Sequence, residues 1–196
     1  MMIALGMKLQ NSGRSEQDSL RYGSIVIMTD QDPDGSHIKG LVAAMLAKFY
    51  PKGLRRSGFV KIFHTPIVRA SCGTEVKDCY SQPEADAWVA ARAGRRVHVK
   101  YYKGLGSWTN KDADAMAGRL GRHLVPMDAA TPEDISAIKQ AFGPDSSFRR
   151  KLVNGVPSLQ PLDPRTVTSW GGFVHTELSR FFHYDNARSI PGIDGL

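Results

Sequence analysis

Ile25-Val26-Ile27-Met28-Thr29 runs straight into Asp30-Gln31-Asp32-Pro33-Asp34-Gly35. An apolar, β-rich run that stops at clustered carboxylates predicts a buried strand delivering acids to the carboxyl edge of a sheet. Like charges this close repel one another. A divalent cation relieves that repulsion, and hard oxygen ligands select Mg²⁺ or Ca²⁺. A solvated Asp/Pro/Gly turn without metal has the same composition, so the triplet alone leaves both readings open.

Spacing separates the other metal-loop types. The D-x-D-x-D-G start of a calcium hand requires a glutamate where this chain has Leu41, and a calcium hand follows a helix rather than a strand. A phosphatase of the haloacid-dehalogenase kind has Thr or Val where Asp34 stands, and a third carboxylate suits metal support better. After the acids, Gly35 permits a tight turn, and Ser36 is expected to cap a helix beginning Ile38-Lys39-Gly40-Leu41. That helix is apolar nearly all round, which predicts burial against a sheet. Its free N–H groups point towards the acid loop, a setting for phosphate. His37 follows directly and reads either as a contact to phosphate or a metal-bound water or, more plainly, as a side chain satisfied by nearby carboxylates.

The chain has 196 residues, 41% hydrophobic and 23% charged, which is ordinary for a globular protein. No stretch reads as a membrane span or signal peptide, so the expectation is an intracellular, soluble protein with no membrane partner. Cys72 and Cys79 fit no zinc spacing and make no disulfide framework. The net charge of +7 favours a polyanionic partner such as nucleic acid. Basic residues recur at Arg55-Arg56, at Arg92, Arg95 and Arg96, and at Arg149-Arg150-Lys151. The last group follows a helix break and could grip a phosphodiester backbone; a solvated basic turn is the plain alternative.

Further along, strands are expected near 59–63, 65–69, 76–80 and 97–101, with helices over about 81–92, 111–120, 131–141 and 170–182. Tyr101-Tyr102-Lys103-Gly104-Leu105-Gly106 puts a cation and two glycines at a second strand end, where a backbone could approach an anion; a tight turn is the plainer reading of such a stretch. The proline-rich polar stretch between Gly155 and Thr166 marks a domain boundary. Strand, acid loop, helix, then mixed elements argue an α/β fold with a partly parallel sheet.

The run Arg21 to Leu41, with Thr29-Asp30-Gln31-Asp32-Pro33-Asp34-Gly35 at its centre, resembles the Toprim region of type IIA DNA topoisomerases. Tyr101 to Ser107 is similar to a second signature of that family, and the tail with Asp185-Asn186-Ala187-Arg188-Ser189-Ile190-Pro191 resembles the start of its DNA-gate domain. Asp30-Gln31-Asp32 and Phe63-His64-Thr65-Pro66-Ile67 look like the eukaryotic-type enzyme. The resemblance implies a Toprim-like sheet flanked by helices, a mixed connector and the start of a helical gate domain. The division is 1–20 as an incomplete lead-in, 21–125 as Toprim, 126–165 as connector and 166–196 as the start of the winged-helix gate.

The resemblance also implies chemistry. In the family a tyrosine attacks a DNA phosphodiester, both strands are cut, another duplex passes, and the ends are rejoined. Carboxylates hold Mg²⁺, which steadies charge at the attacked phosphate. Carried over, Asp30 and Asp32 are metal ligands and Asp34 is a supporting acid. Arg149 and Arg150 match the DNA-touching position, with Lys103 a lesser DNA contact. The family implies Mg²⁺ and ATP as cofactors, double-stranded DNA as partner, a homodimer and a nuclear location, with a mitochondrial or viral origin as the alternatives. The family's upstream glutamate, its ATP module and its nucleophilic tyrosine find no match here, so no catalytic nucleophile is assigned. The expectation is an internal segment unable to cleave DNA by itself. Two other readings are a non-catalytic Toprim-derived nucleic-acid-binding module and a Toprim primase or nuclease; the gate-like tail argues against the last.

Overall fold

The computed structural model describes residues 5–6, 21–102, 104–155 and 163–189. In chain order the elements are β1 (Ile25–Met28), α1 (Pro33–Phe49), α2 (Pro51–Leu54), β2 (Val60–Phe63), β3 (Val68–Cys72), β4 (Glu75–Cys79), α3 (Gln82–Ala90) and β5 (His98–Tyr101). A 3₁₀ turn at Leu105–Ser107 leads to α4 (Asn110–Ala117), α5 (Leu120–His123), β6 (Leu124–Pro126), α6 (Pro132–Ala141) and α7 (Ser147–Asn154). After a second 3₁₀ turn at Pro164–Thr166 come α8 (Trp170–Phe173), a π turn at Val174–Leu178 and α9 (Ser179–Arg188).

Several helices start by one rule: a small polar side chain caps, and proline fills the first turn without losing a needed donor. Asp32, Ser81 and Thr131 each accept a backbone N–H three residues on, with prolines at 33, 83 and 132. This corrects the reading of Ser36 as the cap of α1. Because Pro33 carries a pre-set φ, the helix begins a turn earlier and Asp32 takes that role.

Two small sheets form among the described residues. In the first, β1 pairs parallel with β2, Ile25 opposite Val60, and β2 pairs antiparallel with β6. The partly parallel sheet expected from the sequence is therefore present. In the second, β3 lies between β4 and β5, antiparallel to both. The main core joins Ile27, Val60 and Ile62 to Ala43 and Leu46 of α1, Ile138 of α6, and Trp170, Val174, Leu178 and Phe181 beyond. Segment 166–189 thus packs into the same core as β1 and β2. A smaller cluster of Val68, Cys79 and Ala85 sits under α3.

Neither β1 nor α1 is buried as expected. Ile27 faces the core, while Val26 (40% exposed) and Met28 (50%) face outward, as strand alternation requires for a sheet covered on one side. On α1 the buried face carries Gly40, Ala43, Leu46, Ala47 and Lys39, and Ile38 and Leu41 are half exposed. Small residues let the helix lie close; its larger apolar residues point away. Arg149, Arg150 and Lys151 lie within α7, not in a turn.

Candidate functional site

The acid loop lies at the carboxyl end of β1 and is shaped by two close approaches. A Cβ at Gly35 would fall 2.0 Å from the Asp30 carbonyl oxygen, so only glycine lets α1 start against the loop. A Cβ at Gly104 would fall 2.6 Å from the Asp30 Cγ. The loop after β5 therefore rests on the Asp30 carboxylate. It is carried there because pairing continues past β5: Tyr102 N–H donates to the Ile67 carbonyl at 2.9 Å.

Each aspartate has a distinct set of contacts. Asp30 accepts the Leu105 N–H on Oδ1 at 2.7 Å. Asp32 accepts the Gly35 N–H on Oδ1 at 2.6 Å as the cap of α1. Asp34 pairs with Arg188 at 3.2 Å, and Arg188 also meets Asp185 at 2.8 Å. All three acids line one open cavity of about 310 Å³, with Met28, Ile38 and Leu105 on its walls. Asp30, Asp32 and Asp34 thus share one concavity. Among the described residues, no three His, Cys, Asp or Glu side chains form a metal cage of their own.

Beneath the loop, Lys39 is buried and ion-paired to Glu177 from the π turn, and Ser36 also donates to Glu177 at 3.2 Å. Sequence reading missed Glu177, which lies 138 residues from Lys39; the only local signal was a lysine inside an apolar helix. Among the described residues, His37 meets no carboxylate. It stacks on Phe181 with ring centroids 4.1 Å apart, because its face of α1 turns towards α9. His64, given no role from sequence, sits at the end of β2 with Nδ1 3.4 Å from the Gln31 Oε1. Burial, foremost, pushes its pKa down to about 4, so the ring is neutral near pH 7.

Of the basic candidates, Arg149 bends back on α6. Its guanidinium donates to the Gly143 carbonyl at 2.6 Å and the Ala141 carbonyl at 3.3 Å, capping that helix's C-terminal end. Arg150 and Lys151 are exposed. Lys103 lies outside the described residues, as does the tail from Ile190 onward. Tyr80 and Tyr102 are poor nucleophiles: burial, first of all, pushes both phenols up to about 12.

Residues 63–186 match the family described as the C-terminal associated domain of TOPRIM. The chain is 39% identical over 211 residues to DNA topoisomerase 2-beta of Gallus gallus, covering 100% of this chain and 13% of that protein. It is 36% identical over 211 residues to DNA topoisomerase 2-alpha of Homo sapiens, covering 100% of this chain and 14% of that protein. A Caenorhabditis elegans relative with "DNA topoisomerase 2, mitochondrial" in its name is 37% identical over 202 residues, covering 100% of this chain and 17% of that protein. The chain thus spans under a fifth of these relatives' length. Among solved structures, the DNA-binding, cleavage and re-ligation domain of Plasmodium falciparum topoisomerase II superposes with a TM-score of 0.85 at 32% identity, covering 97% of this chain and 26% of that one.

Proposed function

The chain belongs to the family of C-terminal associated domains of TOPRIM, and from that premise we propose that it is the cation-holding, DNA-contacting segment of an ATP-dependent, eukaryotic-type type II DNA topoisomerase. One observation carries this reading: Asp30 and Asp32, at the carboxyl end of a parallel strand, open onto one cavity. The donor set fits Mg²⁺. That ion is commonly held by one or two carboxylates and completed by substrate phosphate and water, so a full protein cage is not required. Asp30 and Asp32 are the ligands. Asp34, already balanced by Arg188, is the supporting acid.

When bound, Mg²⁺ supplies charge stabilisation at a transferring phosphoryl group. The chain's own residues do the rest. Asp32 keeps its carboxylate at the helix start, where the α1 dipole steadies negative charge. Arg150 meets the DNA backbone from the exposed side of α7, and Arg149 sets that helix against α6. Lys103 is a further backbone contact. The nucleophilic tyrosine, the ATP site and the main homodimer contacts belong to other parts of the parent enzyme, and its place is the nucleus. The chain then divides into a lead-in over 1–20, Toprim over 21–125, a connector over 126–165 and the start of the gate domain over 166–196.

Anisotropy of a short fluorescent duplex tests this. Mg²⁺ is expected to tighten binding by the native chain and to lose that effect in Asp30→Asn and Asp32→Asn. Asparagine retains the cap at 32 while removing the charge. A purely basic binder is weakened by any added cation. Weakening by Mg²⁺ in all three proteins alike would favour the non-catalytic binding module.

A further inference from the structure

We propose that the backbone of the loop after β5 is a positioning device for Asp30, with the Leu105 N–H orienting its carboxylate, Gly104 making the approach possible and Asp112 holding the loop in place. This rests on the reading of Asp30 as a cation ligand. From sequence the Gly104-Leu105-Gly106 stretch reads first as a tight turn, with a cradle for an external anion as the alternative. In the structure the Leu105 amide is given to the protein's own carboxylate, 75 residues away in sequence.

The geometry around Gly104 is selective. A methyl group there would lie 2.6 Å from Cγ and Oδ2 of Asp30 and 2.8 Å from Oδ1. The atoms it would strike are the end of a side chain, so the carboxylate must give way and the fold need not. The turn is closed by Ser107, whose hydroxyl donates to the Gly104 carbonyl at 2.6 Å. Asp112, nearly buried, ties both feet of the loop. It accepts from the Tyr102 hydroxyl at 2.8 Å before the loop, and from the Thr109 N–H at 3.0 Å and hydroxyl at 2.6 Å after it. Lys100 adds a charged bond at 2.6 Å. A single carboxylate thus bridges the two ends of the loop that carries the Leu105 amide. Partners that orient a ligand in this way change metal affinity by about 10–100-fold when lost.

Calorimetric titration of Mn²⁺, standing in for Mg²⁺, into the 196-residue chain gives the test. Gly104→Ala and Leu105→Pro reach Asp30 by different routes, one displacing the carboxylate and one deleting the amide donor. Proline suits the first position of a turn, and Gly104 before it is extended. Both are expected to bind Mn²⁺ about tenfold more weakly, with unchanged circular dichroism. Asp112→Asn is expected to weaken binding less, and to shift the Leu105 amide resonance. Gly106→Ala, whose new methyl meets nothing within 4 Å, is the control and binds as the native chain does. Native affinity in folded Gly104→Ala or Leu105→Pro, alongside weak binding by Asp30→Asn, overturns the positioning role alone. Native affinity in Asp30→Asn overturns the cation reading and this inference with it.

Discussion

His64 is 1% exposed and lies one strand over from the acid loop, facing charges on several elements: Lys39 on α1, Glu177 in the π turn, and Asp163 and Arg165 beyond α7. Its folded pKa, lowered mainly by burial to about 4, sits below the ordinary value of 6.5. Between those pH values the unfolded chain takes up a proton that the folded chain refuses. Stability is therefore undiminished above pH 6.5 and falls as pH drops towards 4, by about 3 kcal/mol in total. His123, also lowered by burial, acts in the same direction. Urea denaturation across this range should show the decline, and His64→Gln should flatten it. An NMR titration of the His64 ring with a midpoint near 6.5 would contradict the account. Asp32 has a second use at this scale: Asp32→Ala should lose about 1 kcal/mol as a missing cap, whereas Asp32→Asn should not.

Element by element, the acid loop is clamped from behind by α9 and the π turn before it. Glu177 holds Lys39 and Ser36, Phe181 stacks on His37, and Arg188 meets Asp34. A π turn widens the helix by one residue and often marks functional ground. The Lys39–Glu177 pair, its lysine buried and its glutamate mostly shielded, makes a sharp prediction. Lys39→Met takes from Glu177 its buried cation, and should cost about 3 kcal/mol in chemical denaturation. Lys39→Met combined with Glu177→Leu should recover most of that loss; additive losses would mean the two side chains are not coupled. The order of strands and capped helices was legible from residues alone, because proline after a polar cap and alternating β-branched runs are local signals. α2, α5 and β6 were not, since three or four residues carry no periodicity, and α7 was not, since it starts with neither a side-chain cap nor a proline. Nor was the sidedness of α1, because the burial of Lys39 depends on a carboxylate 138 residues away. The three acids were legible as a group; the amide that orients Asp30 was not, because a backbone donor leaves no mark in a sequence.

Over the whole molecule, a net charge of +7 coexists with an acid-lined cavity, so on the proposed reading attraction to DNA and capture of a cation fall to different surfaces. Arg150 on exposed α7 belongs to the first. Arg150→Ala should weaken duplex binding for all sequences alike and lower the salt slope by about one. Arg149→Ala should instead lower stability, since its guanidinium caps α6. An unchanged melting temperature in Arg149→Ala, together with a reduced salt slope, would exchange the two roles. The acid cavity belongs to the second surface, and paramagnetic broadening by trace Mn²⁺ in an amide NMR spectrum probes it most directly. Bleaching should be strongest at Thr29 to Gly35 and at Leu105, residues far apart in the chain, and should vanish in Asp30→Asn. Broadening spread evenly over surface carboxylates such as Glu133 and Asp145, with the acid loop untouched, would contradict it.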